Sequence, residues 1–172
     1  MVGGRTFVNN VSLGAYADVV ERPSYRNNKL RVTLEVLPDA LSGREQPHFT
    51  VRAGTLQLAD PTVALISNNP YGSRSIADVA RRSRLDGGLL GLICVQLLPP
   101  ADIGRLVRES RLHAPATSTT ALEVAIDAPG GTVPAAIDGE SIRLETPVRC
   151  RIRPRCLRVR VPLSRPPVLE AS

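Results

Sequence analysis

The spacing of the apolar residues changes near residue 46 of the chain. Before that point, four leucines recur at helical spacing and predict an amphipathic helix over residues 27–41, bent or broken near Pro38. After it, short apolar runs alternate with polar residues and are separated by Gly, Pro, Asn or Asp, which is typical of strands joined by turns. The pattern therefore predicts a mainly β fold, a sandwich or a barrel, with helical insertions.

The first predicted strand lies close to the N-terminus. It covers residues 5–11 and is predicted to end in a Ser/Gly loop with Asn9, Ser12 and Gly14 at its tip. A second helix, over residues 101–112, is predicted to connect two of the later strands. Those later strands are predicted at "HFTVRA", "TVALISNN", "LLGLICVQLL", "TALEVAI", "TVPAAI", "SIRLET", "VRCRIR" and "LRVRVP".

The length of 172 residues fits one ordinary domain with its own core. Two Phe, three Tyr and no Trp leave that core to aliphatic side chains, and the hydrophobic content of 42% is that of a globular protein. We expect a β-sandwich domain over residues 1–163, followed by a Pro-rich tail over residues 164–172 that frays.

The cysteines and the apolar segments indicate the compartment. Cys94, Cys150 and Cys156 have neither metal-binding nor disulfide spacing, and each lies in an apolar, strand-like stretch. We expect buried thiols in a reducing compartment. The longest apolar segment, residues 87–98, is shorter than the roughly 20 residues that span a bilayer, and the N-terminus lacks a signal pattern. A cytoplasmic location is expected, including the inner surface of the membrane.

Arginine dominates the charge of the chain. Of its 22 basic residues only Lys29 is a lysine, and the net charge is +6. Arginine binds phosphate and carboxylate in a bidentate manner, so an anionic partner is one interpretation. Codon usage, with the arginines on solvated faces, is the other interpretation.

The C-terminal stretch "VRCRIRPRCLRVRVP" carries arginines at alternate positions. Period two puts them on one face of each predicted strand, and a turn at the central Pro-Arg would join the two faces. This arginine ridge would face carboxylates, phosphates or the headgroups of an anionic membrane surface. A solvated face neutralised by Glu140 and Glu145 is the alternative. The arginine ridge consists of Arg149, Arg151, Arg153, Arg158 and Arg160.

The stretch "AIDGES" places Asp138-Gly139 between two alternating runs. Asp-Gly in this position is a strong hairpin signal, because a type I′ turn needs positive φ at both central residues. Glu140 follows directly, and two carboxylates beside a glycine form an anionic cluster that could serve general-base chemistry. A plain turn and a catalytic site both remain open from the pattern.

Two further loops contain candidate residues. In "LISNNPYG", Asn68 and Asn69 follow an apolar strand and are candidate residues of a substrate cleft; a turn also explains them, through side-chain to backbone hydrogen bonds. In "RLDGGLLGL", Asp86-Gly87 precedes an apolar strand; a loop corner is one interpretation, and a carboxylate that holds a hard cation is the other.

Five stretches in series resemble one family. They are "FVNNVSLGAYADVV", "YRNNKLRVTLEVLPDAL", "LISNNPYG", "RLDGGLLGL" and "AIDGE…PVRCRIRPRCLRVRVP". In this order the chain resembles the C-terminal lobe of the diacylglycerol kinase catalytic family, bacterial lipid kinases related to sphingosine and ceramide kinases and distantly to NAD kinase. The resemblance implies a β-sandwich lobe with two or three helical insertions.

The resemblance also implies what the lobe does. An N-terminal lobe with a Gly-Gly-Asp-Gly-Thr loop would hold ATP and Mg²⁺; this chain has no glycine-rich phosphate motif, and that lobe is expected to be absent from it. Asp138 would be the base that accepts the proton of a lipid alcohol, a diacylglycerol or a sphingoid-like substrate, and Glu140 would help to organise the Mg²⁺-nucleotide side.

The remaining site residues also follow from the resemblance. Asn9, Ser12 and Gly14 match the family's Asn-x-x-Ser-x-Gly loop, which would border the cleft. Asp86 would be a metal ligand, although Gly87 replaces the second acid of the family's pattern. The chain alone is expected to be inactive and to have no nucleic-acid partner. The alternative function is a non-enzymatic module that binds lipid or a membrane surface.

Overall fold

The chain forms two antiparallel β-sheets. A computed structural model describes residues 1–14, 48–71, 82, 84–96 and 116–160. These residues contain ten strands and no helix, and no helix in them is long and apolar enough to cross a bilayer. The two helices predicted over residues 27–41 and 101–112, and the tail over residues 164–172, lie outside the described residues.

The larger sheet has six strands, in the spatial order β6-β5-β4-β1-β8-β9. All of its neighbouring strands are antiparallel. Its members are β1 (Asn10–Gly14), β4 (Val63–Asn68), β5 (Leu90–Val95), β6 (Ala116–Ala121), β8 (Thr132–Ile137) and β9 (Glu140–Glu145).

The smaller sheet has four strands, in the order β10-β7-β2-β3, and is also antiparallel. Its members are β2 (Thr50–Ala53), β3 (Leu56–Ala59), β7 (Glu123–Asp127) and β10 (Val148–Arg151). β10 alternates buried and exposed residues, because a strand that packs one face on a core sends successive side chains to opposite sides.

One aliphatic core joins the two sheets. Leu13 and Leu92 of the larger sheet belong to the same buried cluster as Val51 and Ile126 of the smaller one. Phe49 is the largest fully buried side chain. The predicted mainly β sandwich with an aliphatic core is therefore confirmed.

The structure corrects several strand boundaries. The predicted strand "TALEVAI" is two strands that leave Leu122 between them, so the chain passes here from the larger sheet to the smaller. Ser12 and Gly14 lie inside β1, which starts at Asn10, and not in a loop after it. The predicted strand "LRVRVP" is not formed over residues 157–160, which are exposed and irregular.

The cysteines divide into two kinds. Cys94 and Cys150 are buried, and burial raises the pKa of both thiols to about 12. Cys156 is exposed, which contradicts the expectation that all three are buried. It follows Pro154 and Arg155, where the chain turns away from the sheet and leaves the core.

Candidate functional site

Four separate stretches of the sequence meet at one end of the six-stranded sheet. β1 and β5 start at this end, whereas β4 and β8 finish there, because neighbouring strands are antiparallel. Four loops are therefore neighbours. They are the loop before β1, the Asn68-Asn69 turn at the end of β4, the Asp86-Gly87 loop before β5 and the Asp138-Gly139 turn after β8. We call this end the loop end and the opposite one the far end.

The Asp138-Gly139 turn has the geometry expected from its sequence. β8 and β9 pair with Ile137 opposite Glu140, which leaves a loop of the two residues Asp138 and Gly139. Their φ angles are 49° and 95°, both positive as in a type I′ turn. Asp is one of the few residues other than Gly that tolerates this region. The predicted hairpin is confirmed, and it fixes the direction of the Asp138 side chain.

Three backbone amides hold the Asp138 carboxylate. The Val8 amide donates to Oδ2 at 2.7 Å, and the amides of Asn9 and Asn10 donate to Oδ1 at 2.8 and 2.9 Å. The backbone N–H of Asp138 in turn donates to the Asn10 carbonyl at 2.9 Å. The loop before β1 is thus attached to the hairpin, although Asp138 itself is exposed.

A cleft of about 280 Å³ lies beside the turn. It is lined by Arg5, Thr6, Ile137, Asp138, Glu140, Ser141 and Ile142. Glu140 is exposed at the first position of β9. The two carboxylates of "DGE" therefore border one cleft, and the Arg5 side chain brings a cation to the same cleft.

The two asparagines at the end of β4, Asn68 and Asn69, have structural partners. The Asn68 side-chain amide donates to the Val8 carbonyl at 3.0 Å. Asn69 is buried, with φ of 68°; its side chain donates to the Leu85 carbonyl and accepts from the Gly87 amide. The turn interpretation is therefore supported, and the turn also joins three loops at the loop end.

Sequence reasoning did not identify Arg82 and Tyr71. The Arg82 guanidinium lies 4.1 Å from the centre of the Tyr71 ring. Its Nη2 donates to the Asn9 carbonyl at 3.0 Å, to Asn9 Oδ1 at 2.5 Å and to Tyr71 Oη at 2.7 Å. Asn10 Nδ2 donates to the same Tyr71 oxygen at 3.2 Å. These contacts fix the loop that holds Asp138, and no local pattern signals them.

Two of the predicted cleft residues do not reach the loop end. Ser12 lies within β1 and is buried, and its hydroxyl has no hydrogen-bond partner among the residues that the structure describes. Gly14 ends β1 at the far end with φ of 79°, where a Cβ would lie only 2.3 Å from the Thr62 carbonyl oxygen. Only Asn9 of the Asn-x-x-Ser-x-Gly pattern is beside Asp138. Gly14 is needed because only a residue without a side chain lets the two backbones approach so closely.

Asp86 is held by a cation of the protein. Arg84 Nε and Nη2 donate to its two carboxylate oxygens at 3.0 and 3.2 Å, and this pairing lowers the pKa of Asp86. Across residues 1–14, 48–71, 82, 84–96 and 116–160, no three His, Cys, Asp or Glu side chains are grouped to hold a metal ion.

The arginine ridge is partly neutralised. Arg149 and Arg151 lie on the exposed face of β10, as the period-two pattern predicted, and both pair with Glu123 of β7. These hydrogen bonds lower the pKa of Glu123. Glu123, and not Glu140 or Glu145, is thus the counter-ion. The ridge has no second strand, because Arg158 and Arg160 lie in the irregular segment.

The fold has known relatives, although the sequence alone matches neither a family model nor a curated protein. A crystal structure from Bacillus anthracis str. Sterne, assigned as a diacylglycerol kinase, matches with a TM-score of 0.57 and 15% identity, covering 89% of this chain and 52% of that one. A second structure with the same assignment and organism gives 0.54 and 15%, over 86% and 50%. The chain spans about half the length of these proteins, and its fold is similar to that half of each structure.

Proposed function

We propose that the chain is the acceptor-side lobe of a diacylglycerol-kinase-like lipid kinase, with Asp138 as the residue that binds the hydroxyl of the lipid. The observation that carries this proposal is the fixed position of the Asp138 carboxylate beside an open cleft. The likeness to diacylglycerol kinase structures supports the choice of reaction.

The geometry of Asp138 suits a positioning base. A carboxylate has about four acceptor positions, and the three amide bonds leave one on Oδ2 for a substrate hydroxyl. The three amides also hold the carboxylate in one orientation. Phosphoryl transfer depends mainly on placing the attacking oxygen in line and on neutralising charge, so orientation of the hydroxyl is the main requirement on this lobe.

Glu140 and Arg5 complete the cleft. Glu140 would lie toward the nucleotide, and the Arg5 guanidinium could pair with an anionic group of the substrate. When bound, ATP would supply the phosphoryl group and Mg²⁺ would neutralise its charge. We expect the ATP-binding lobe to provide the main ligands of the metal.

The proposal is tested by restoring phosphoryl transfer to a lipid. The chain should phosphorylate no lipid by itself, and it should do so when a lobe with a Gly-Gly-Asp-Gly-Thr loop is supplied in the same polypeptide or by co-expression. Asp138→Asn, which can still accept from Asn9 and Asn10, should lower the rate by about 10² or more.

Asp127→Asn is the matched control, since Asp127 is an exposed carboxylate that pairs with Arg52 at the far end. It should keep the rate within about twofold. Activity of the isolated chain, or equal losses in the two variants, would contradict the proposal. The assay should include a diacylglycerol and a sphingoid base, since the cleft offers the same carboxylate to either hydroxyl.

The second candidate function is a non-enzymatic lipid-binding module. It is favoured by the exposed apolar side chains Leu122 and Leu157, which are 65% and 59% accessible, and by the arginines Arg155 and Arg158 on either side of Leu157 in the chain. If an added ATP-binding lobe restores no transfer and only lipid affinity remains, this second function is the correct one.

A further inference from the structure

The large apolar side chains that the fold leaves exposed are not scattered. Within the described ranges, three of the five lie at the loop end, and the other two lie in the irregular segment that follows β10, a strand that finishes at that end. They are Val8, Leu85, Leu122, Leu157 and Val159. Scattered exposed apolar residues are normal on a protein surface, whereas their concentration at one end indicates an interaction surface.

Backbone contacts fix the position of three of these residues. The Val8 amide donates to Asp138, and the Leu85 carbonyl accepts from Asn69. Leu122 follows β6 at the residue after Ala121, which pairs with Leu90 at the start of β5. Three different loops therefore present an apolar side chain at the loop end, with Val8 beside Asp138 and Leu122 at the opposite edge of the sheet.

The C-terminal segment reaches the same end. The Ile152 amide donates to the Leu122 carbonyl at 3.1 Å, and a Cβ on Gly88 would lie 3.8 Å from Pro154 Cγ. Leu157 is three residues beyond Pro154 and is therefore within about 11 Å of it along the chain. The segment that carries Leu157 and Val159 thus starts between the Leu122 turn and the loop before β5.

Arginines are more numerous at the loop end than at the far end, although the loop end also carries the exposed carboxylates Asp86, Asp138 and Glu140. The far end carries the exposed carboxylates Asp60, Asp127 and Glu145. At the loop end arginines are interleaved with the apolar side chains. These are Arg5, Arg82, Arg84, Arg153, Arg155, Arg158 and Arg160.

We infer that the loop end is a docking surface for an anionic phospholipid bilayer. Apolar side chains on separate loops can enter the headgroup region individually, and the arginines between them complement anionic headgroups. A second copy of the chain is a poorer occupant, because a symmetric contact would place these arginines against each other. The inference deepens the proposed function, since it would place the Asp138 cleft next to the membrane that contains a lipid alcohol.

The first experiment is vesicle flotation of the full chain. Vesicles of equal parts phosphatidylglycerol and phosphatidylcholine should carry the protein upward, and vesicles of phosphatidylcholine alone should carry much less. Leu85→Ser with Leu122→Ser should weaken binding at least tenfold, because each leucine loses its transfer from water. Both side chains are more than half exposed, so the fold should remain intact.

A matched pair of charge variants locates the surface. Arg155→Gln with Arg158→Gln should weaken binding on the order of tenfold and reduce its salt dependence. Arg52→Gln with Arg143→Gln removes the same charge outside the loop end and should leave binding within about twofold. Equal losses in the two pairs would mean that net charge alone attracts the protein, and would overturn the inference.

Insertion of the loop end into the bilayer is measured on a third variant. The chain has no tryptophan, so Leu122→Trp provides a single fluorophore whose emission should shift to the blue and be quenched by brominated lipid. No shift on anionic vesicles would overturn the inference, as would concentration-dependent dimerisation that the leucine substitutions abolish.

None of these experiments requires a nucleotide or an added lobe. A failure of vesicle binding would therefore leave the lipid kinase proposal standing, and a failure of transfer would leave the docking surface standing.

Discussion

The two ends of the six-stranded sheet are made by the same antiparallel strands but hold different residues. At the far end, β1 closes on Gly14, whose backbone approaches the Thr62 carbonyl so closely that no side chain fits. At the loop end, β1 opens on Asn9 and Asn10, whose amides bind a carboxylate. At the far end β1 is shaped by close packing of the backbone, whereas at the loop end it is shaped by hydrogen bonds to the exposed carboxylate of Asp138. Substitutions at the two ends should therefore have different consequences.

The largest effect on the free energy of unfolding is expected at Gly14, with Gly139 as the comparison. Gly14→Ala should lower the free energy of unfolding by about 3 kcal/mol, because it combines positive φ with a backbone clash 2.3 Å away. Gly139→Ala, with φ of 95° but open space around it, should cost only about 1 to 2 kcal/mol. Urea unfolding measures both values. Equal costs at the two glycines would contradict the assignment of packing to the far end.

The next largest effect on stability is expected at Asp138, which attaches the loop before β1 to the β8-β9 hairpin. Asp138→Ala removes the acceptor of three amides and should lower the stability by about 2 kcal/mol. Hydrogen exchange at Val8, Asn9 and Asn10 should accelerate at the same time. The control Asp127→Ala loses one exposed ion pair and should change the stability by about 0.5 kcal/mol or less. Unchanged exchange at the three amides would show that they do not depend on Asp138.

Some of this arrangement is accessible from the sequence. The Asp138-Gly139 hairpin follows from the turn preference of Asp-Gly between alternating runs, because the interaction is local. The aliphatic sandwich core follows in the same way from period two. Each of these predictions depends only on residues that are close in the chain.

Other features depend on contacts between distant parts of the chain, and periodicity carries no information on them. The sheet change at Leu122 divides the run "TALEVAI", which contains no Gly, Pro, Asn or Asp to signal a turn. Ser12 is buried by its place in β1, which hydrophobicity alone does not indicate. Glu123 neutralises arginines that are 26 and 28 residues away.

A smaller effect is expected at Arg82. Arg82→Ala should lower the stability by about 1 kcal/mol, because it removes the hydrogen bonds to Asn9 and the stacking on Tyr71. Exchange at the Asn9 and Asn10 amides should accelerate. Arg82→Lys should restore only part of the protection, since an ammonium group cannot reproduce the planar stacking. Full rescue by lysine would show that charge alone matters at this position.

The smallest effect is expected on the exposed face of the smaller sheet, where Glu123 pairs with Arg151 and Arg149. These hydrogen bonds lower the pKa of Glu123 in the folded state. The pair therefore stabilises the fold above the unfolded pKa of the carboxyl group, and this contribution is lost as the pH falls through the folded pKa. Glu123→Gln should slightly flatten the acid side of the stability curve measured by thermal unfolding, and Glu145→Gln should not.

The central claim is that Asp138 receives a lipid hydroxyl, and it can be tested most directly on the chain itself by NMR. A short-chain diacylglycerol, added below its micelle concentration, should shift the amide signals of Val8, Asn9 and Asn10 in a saturable way while the Gly14 signal at the far end stays in place. The same addition to Asp138→Asn should shift the three loop-end signals much less. Shifts that are absent, that reach the far end equally, or that persist unchanged in Asp138→Asn would contradict the claim.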